Sequence, residues 1–219
     1  DKGIRGLERT DSVYRAMEKD GLIQFTGTSR DSADNAIRYP LVINTKGFRI
    51  ALVNFTYGTN LRWQGGWPKV NIIDRQDISA ALTKAKNRGA DFVIALPHWG
   101  VEYELRHSRS QEDLASWLVE NGADAVIGAH PHVVQDSTVI GGAPVFYSLG
   151  NAVSNMSAPN TQIELAVKLT FTRDWNGDVA MLEPEVTYLW CSLPGRLGES
   201  YTTIAVRDYI GKRHLWKEP

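Results

Sequence analysis

The sequence predicts an α/β fold with a mixed sheet arrangement, and three observations carry that reading. Three stretches repeat the order amphipathic helix, glycine stop, short strand, which is the pattern of αβ units. Two long strand-forming runs flank Asn176-Gly177, the strongest short-range hairpin signal, so the C-terminal part reads as antiparallel. A chain of 219 residues, 42% of them hydrophobic, is long enough to bury a substantial core. It is read as one domain, residues 1–219, with a C-terminal β-hairpin region at about 161–191.

The elements follow in order. TDSVYRAMEKDGLIQFTG, from Thr10, reads as a capped helix stopped by Gly21 and followed by a strand. RIALVNFT, Arg49 to Thr56, is rich in β-branched and aromatic residues and reads as a strand. In DISAALTKAKNRGADFVIAL, Asp77 is read as the N-cap, Ile78, Leu82 and Ala85 share one helical face, and Gly89 supplies the left-handed C-terminal residue before a strand from Phe92 to Leu96. In SQEDLASWLVENGADAVIGA, Ser110 caps, Asp113 suits the positive end of the dipole, and Leu114, Trp117 and Leu118 form the buried stripe ended by Gly122. RGADFVIAL and NGADAVIGA echo one another as products of the same local mechanics, since two units are too few for a solenoid. VFYS, Val145 to Ser148, is a further strand, while GGWPKVN and CSLPGRLGES read as loops.

Composition excludes several function classes. Lysine plus arginine total 24 against 25 aspartate plus glutamate, so no positive excess points to nucleic acid and no charge block marks a membrane-surface patch. Cys191 is the only cysteine, which removes intrachain disulfides and all-thiolate zinc sites. No apolar run reaches the roughly 18 to 20 residues of a membrane span. DKGIRGLERT is neither a signal peptide nor a usual translation start, so the natural N-terminus and any export signal are expected upstream.

The histidines carry the chemistry. His98 follows the strand DFVIAL, and His130 and His132 follow DAVIG, so three of the five histidines fall at carboxyl ends of strands, where α/β sheets place ligands. If the segment is extended, His130 and His132 point to one side with Pro131 pointing away, Cα atoms roughly 6 to 7 Å apart. That spacing holds one ion between two rings, or places one ring on each of two ions about 3.5 to 4 Å apart. The bland alternative is an exposed HPH loop beside a hydrogen-bonded core histidine. His107 and His214 read as solvated. Trp99 and Tyr103 flank the His98 motif as substrate-stacking rings or as pocket wall, and Trp63 and Trp67 sit in a glycine-rich loop suited to a lid or binding edge.

PHWGVEYELRHSRSQEDLASWLVENGADAVIGAHPHVVQ followed by FYSLGN, with LVNFTYGTN and DKGIRGL upstream, resembles the bacterial capsule-synthesis proteins of the CapA type, linked to poly-γ-glutamate. The resemblance covers about residues 1–155. It implies the calcineurin-like metallophosphoesterase fold, an αββα sandwich with mixed sheets. It also implies His98, His130 and His132 as metal ligands, Asn151 in YSLGN as a polar group lining the pocket, and Glu102 in HWGVE as a site carboxylate at its rim. Thr59 and Asn60 in YGTN occupy another family motif, which a turn explains almost as well.

The chain also departs from the family. The family's aspartate, glutamate and Asn-Asn-His motifs belong upstream, and Asp1 is read as the aspartate closing the last of them. The chain is therefore expected to be the C-terminal two-thirds of the domain, lacking its first strands, with a half-built metal site and either an oligomer or a further N-terminal segment covering the exposed sheet. Ala152 and Asn155 replace an aromatic and an apolar residue and would leave a smaller, more polar wall.

The implied chemistry is phosphoester hydrolysis with two divalent ions, Mn²⁺, Fe²⁺ or Zn²⁺, in the complete domain. A γ-glutamyl amide hydrolase or transferase is chemically open, as is a non-catalytic cell-envelope protein that binds or organises an anionic polymer. The expected partner is an anionic polymer or a small phosphoester, and the expected location is the cell envelope.

Overall fold

The computed structural model describes residues 2–61 and 65–215. The chain divides into two compact units, one formed by the chain up to His98 together with Ser116–Val126, the other by Trp99–Ala115 and the chain from Ile127 onward. In the first unit the order is α1 (Gly3–Lys19), β1 (Thr28–Ser29), α2 (Ser32–Arg38), β2 (Leu41–Thr45), β3 (Phe48–Thr56), β4 (Lys69–Val70), α3 (Arg75–Asn87) and β5 (Phe92–His98). The second half of α4 (Arg109–Glu120) and most of β6 (Ala125–Ile127) complete it.

Here strands run in the order β2-β3-β5-β6, with β2 antiparallel to β3 and the others parallel. β3 alternates, burying Ala51, Val53 and Phe55, whereas β5 buries four consecutive residues, Phe92 to Ala95, as a strand covered on both faces does. Against them lie Ile78, Leu82 and Ala85 of α3 and Leu118 of α4, all within 1% of full burial. Ile78, Leu82 and Leu118 are each worth about 1.5–3 kcal/mol on leaving water, and the single methyl of Ala85 about 0.8 kcal/mol. Trp117, expected in the same stripe, is only half-buried and lies beneath the Arg75 guanidinium, 5.1 Å from its ring centroid.

Several boundaries differ from expectation for identifiable reasons. α1 begins at Gly3 and runs straight through Thr10, because Asp11 turns inward, 1% exposed, to accept hydrogen bonds from Arg15 and Arg30. Gly21 (φ +71°) ends the turn as expected, yet the following residues form no strand until β1, which pairs with β4. α3 is capped by Asp74, whose Oδ1 accepts from the N–H groups of Gln76 and Asp77, so Asp77 sits in the first turn. Likewise Ser108, not Ser110, caps α4, its backbone and hydroxyl oxygens both accepting from Gln111 N–H. β2 escaped prediction because it joins β3 through Lys46-Gly47, both at positive φ (48° and 82°), and lysine is not a residue that announces that conformation.

The echo between the two GAD sequences has a structural cause. Asp91 N–H donates to Arg49 O (2.8 Å) while its Oδ2 accepts from Arg49 N–H (2.7 Å). Asp124 repeats the clasp on Val93 at the same two distances. Each aspartate thus closes the entry of the neighbouring strand, satisfying backbone groups that a parallel sheet edge leaves unpaired.

In the second unit β7 (Ser137–Ile140) and β8 (Ala143–Phe146) form a hairpin across Gly141-Gly142, so the strand expected from Val145 starts two residues earlier. Then come β9 (Ile163–Lys168), β10 (Phe171–Arg173), β11 (Val179–Met181), β12 (Glu185–Ser192) and β13 (Thr202–Ala205). The long C-terminal hairpin is present but broken: β9 pairs with β12, β10 with β11, and Pro184, which has no N–H for a ladder, lies in the break. At its tip Gly177 alone has positive φ (92°), and Asp174 Oδ1 accepts from Asn176 and Asp178 N–H, a longer turn than a two-residue Asn-Gly loop. The α/β class with mixed sheets is thus as the sequence predicts. Among the described residues no helix is long and apolar enough to cross a membrane.

Candidate metal centre

The second unit places Glu102, His130 and His132 together, with one ligand atom from each lying within 4.8 Å of the others. Backbone geometry explains how. At the end of β6, Gly128 admits a close approach that no other residue could, since a Cβ there would fall 2.2 Å from Tyr147 O and 2.4 Å from the Trp99 indole nitrogen. Trp99, 2% exposed, donates from Nε1 to Tyr147 O (2.8 Å) and from its backbone N–H to Ala129 O (2.9 Å). Four residues on, Tyr103 N–H donates to Pro131 O (2.8 Å). The segment carrying Glu102 is therefore laced at both ends to the segment carrying the histidines.

His130 and His132 do not lie in an extended strand, as the sequence led one to expect. Both have positive φ, 109° and 61°, and Tyr103 opposite them has φ 67°. Three of the five non-glycine residues at positive φ among those described thus belong to this one place. Such conformations cost of order 1–3 kcal/mol each and gather where function demands them. The imidazoles still converge, with ring centroids 6.0 Å apart.

His132 is held in one tautomer. Asn151 Nδ2 donates to two carbonyls, His132 O (3.1 Å) and Thr161 O (3.0 Å), which fixes the amide orientation. Its Oδ1 must then accept from His132 Nδ1, 3.0 Å away. In the neutral ring the lone pair is left on Nε2, which faces Glu102 Oε1 at 4.0 Å. A histidine whose rear nitrogen donates to a fixed carbonyl while its front nitrogen faces a carboxylate has the arrangement of a metal ligand. Burial lowers the His130 pKa, with His132 acting the same way and the Glu102 carboxylate opposing both, so His130 favours the neutral form a metal needs.

The donor set suits a borderline divalent cation such as Mn²⁺, Fe²⁺ or Zn²⁺. Two ligands each about 2.0–2.2 Å from one ion stand at most about 4.4 Å apart. The His132–Glu102 separation already satisfies that limit, and the widest pair requires a shift of a few tenths of an ångström.

The other predicted residues are placed as follows. Tyr103 is 44% exposed and stacks on His132 with centroids 6.2 Å apart, at the open side of the cluster. Trp99 is core and offers no face to a substrate. His98 is the last residue of β5 in the first unit, where its ring stacks on Tyr57 and its carbonyl accepts Tyr57 N–H. Thr59 and Asn60 are exposed in the same unit, with Thr59 Oγ1 donating to Leu61 O in a turn. Asp1 and Trp63 lie outside the described residues. Trp67 is exposed. His107 is not solvated: its Nδ1 pairs with Asp136 Oδ2 at 2.8 Å and its ring stacks on Tyr147 at 3.9 Å. Sequence reasoning gave no role to Gln111 and Gln135, both almost fully buried; the available signal was a polar residue closing the apolar Val133-Val134 pair.

Residues 1–156 match the family model described as bacterial capsule synthesis protein PGA_cap. The chain belongs to this family. The PGA_cap match contains every ligand candidate and ends just after Asn151. Among curated relatives, the PGA biosynthesis protein CapA of Bacillus subtilis (strain 168) is 30% identical over 179 residues, covering 81% of this chain and 46% of the relative. The capsule biosynthesis protein CapA of Bacillus anthracis is 31% identical over 169 residues, covering 74% and 39%. The chain thus spans less than half the length of either. Among solved structures, a calcineurin-like phosphoesterase, YfkN from Bacillus subtilis, shows a partial likeness, with a TM-score of 0.43 and 19% identity over 76% of this chain and 49% of that one.

Proposed function

We propose that this PGA_cap chain contributes a metal centre to a metal-dependent phosphoesterase that acts in capsule synthesis at the cell envelope. The observation that carries the reading is the convergence of Glu102, His130 and His132, with the His132 lone pair aimed at the cluster by Asn151. A divalent ion, when bound, lowers the pKa of water and neutralises charge on phosphoester oxygens. Glu102 and the two imidazoles would hold it, Asn151 orients His132, and the exposed Tyr103 ring offers a surface for the organic part of the substrate. Poly-γ-glutamate, to which the CapA-type resemblance of the sequence is linked, makes an anionic polymer the natural partner, and the amides of that polymer keep γ-glutamyl hydrolysis or transfer as the second chemistry.

Metal analysis of the full-length protein, followed by hydrolysis of bis(p-nitrophenyl) phosphate with added Mn²⁺, tests the proposal. The expected result is bound metal and Mn²⁺-dependent hydrolysis, both lost in His132→Ala. Metal without phosphodiester hydrolysis would favour the amide or polymer-binding readings, and a metal-free, inactive protein would overturn the centre itself.

A further inference from the structure

One side chain ties the Glu102 segment to the segment of His130 and His132 without touching any of the three. Gln135 lies three residues beyond His132 and is 3% exposed. Its Nε2 donates to Glu104 O (2.9 Å) and Arg106 O (3.1 Å), on the segment that carries Glu102. Its Oε1 accepts from Gln111 Nε2 (2.9 Å), and Gln111, 2% exposed, accepts through Oε1 from Ser108 N–H (2.9 Å). With two carbonyls on one side and an amide donor on the other, both glutamines have a single possible orientation. Gly100 is shaped by the same packing, since a Cβ there would meet the Gln111 side chain at 2.8 Å.

We infer that Gln135, supported by Gln111, is a positioning residue for the metal centre, holding the Glu102 segment in register with His130-Pro131-His132. The inference rests on the metal reading proposed above. Glu102 is itself exposed, in a turn with no regular strand or helix to fix it, so its distance from the imidazoles depends on where its backbone is held. Tyr103 N–H on Pro131 O fixes that backbone at one point, and the two Gln135 bonds fix it just beyond. Fully satisfied buried amides of this kind specify one arrangement, because breaking them strands polar groups away from water.

The test is Mn²⁺ titration by calorimetry on full-length protein, with folding followed by circular dichroism. Gln135→Leu removes all three bonds. Gln135→Glu keeps the bond from Gln111, places a carboxylate against two carbonyls, and serves if the leucine variant fails to fold. Each is expected to weaken Mn²⁺ binding about tenfold or more, the scale of supporting-shell substitutions. In a Glu102→Gln background the same change should have no further effect, because the residue acts through Glu102. Wild-type affinity in the folded Gln135 variants, with His132→Ala still losing metal, would overturn the positioning role and leave the centre standing. A full additional loss in the Glu102→Gln background would overturn it too, showing an effect that bypasses Glu102. Failure of the wild type to bind Mn²⁺ would remove the metal reading and this inference together.

Discussion

Asn151 Oδ1 lies 3.0 Å from His132 Nδ1, and the same amide's nitrogen donates to His132 O, so one side chain grips both the ring and the backbone of a ligand candidate. Asn151→Leu removes the acceptor and frees the ring to rotate or change tautomer. Calorimetric titration with Mn²⁺ should show affinity reduced about 10- to 100-fold, with far-ultraviolet circular dichroism unchanged.

Metal binding should depend on pH with a defined sign. Protons compete with the ion for imidazole nitrogen, and burial lowers the His130 pKa. Proton competition at His130 should therefore begin below the ordinary histidine value of about 6.5, and loss of metal should be complete only in more acid solution. Equilibrium dialysis from pH 8 to 4 checks this. His130→Ala and His132→Ala should each reduce bound metal across the whole range, and unchanged metal in both would mean the HPH segment is only a loop.

Acid should also unsettle the first unit. Burial raises the Asp11 pKa, but hydrogen bonds from Arg15 and Arg30 outweigh it and leave the net value low, and Asp34 behaves in the same way beneath Arg15 and Arg38. Carboxylates with depressed folded-state pKa contribute stability above the unfolded value of about 3.9 and lose it as pH falls through the lower folded value. Thermal melts should hold steady above about pH 5 and fall below pH 4. Asp11→Asn, which leaves two guanidinium groups short of a partner, should cost about 2 kcal/mol at neutral pH and flatten that acid limb.

Gly128→Ala tests the close approach under the site. The added methyl would collide with the Tyr147 carbonyl and the Trp99 indole nitrogen, and neither can withdraw without breaking the bond between them. A loss of about 3 kcal/mol or more is expected, lowering the melting midpoint by roughly 6–12 °C. A melt within a degree of wild type would show that the strand end can open without cost.

Local signals read well wherever one residue type has one mechanical use. Gly89 and Gly21 are readable as helix stops, because a left-handed residue acts on its near neighbours, whereas the aspartates of the two GAD sequences act on Arg49 and Val93, 42 and 31 residues away, and their use is not. Caps were misread by three residues at α3 and two at α4, since several polar residues compete for each cap and only the start of the buried face chooses among them. α2 is not legible for a related reason: its end is held from far along the chain, Arg88 donating to the carbonyls of Ala36 and Ile37.

The sequence by itself determined the α/β class, the family, and the presence of imidazoles and a carboxylate near strand ends, because these follow from periodicity and from short motifs whose chemistry is local. Only the tertiary structure decided that His130 and His132 turn through positive φ rather than lie extended, that Trp99 is core, that Glu102 reaches His132, and that Asn151, Gln111 and Gln135 orient what surrounds them. The physical reason is that a buried amide shows its use only through its partners. Those partners, Glu104 for Gln135 and His132 for Asn151, lie 31 and 19 residues away along the chain, and the fold alone brings them within hydrogen-bond reach.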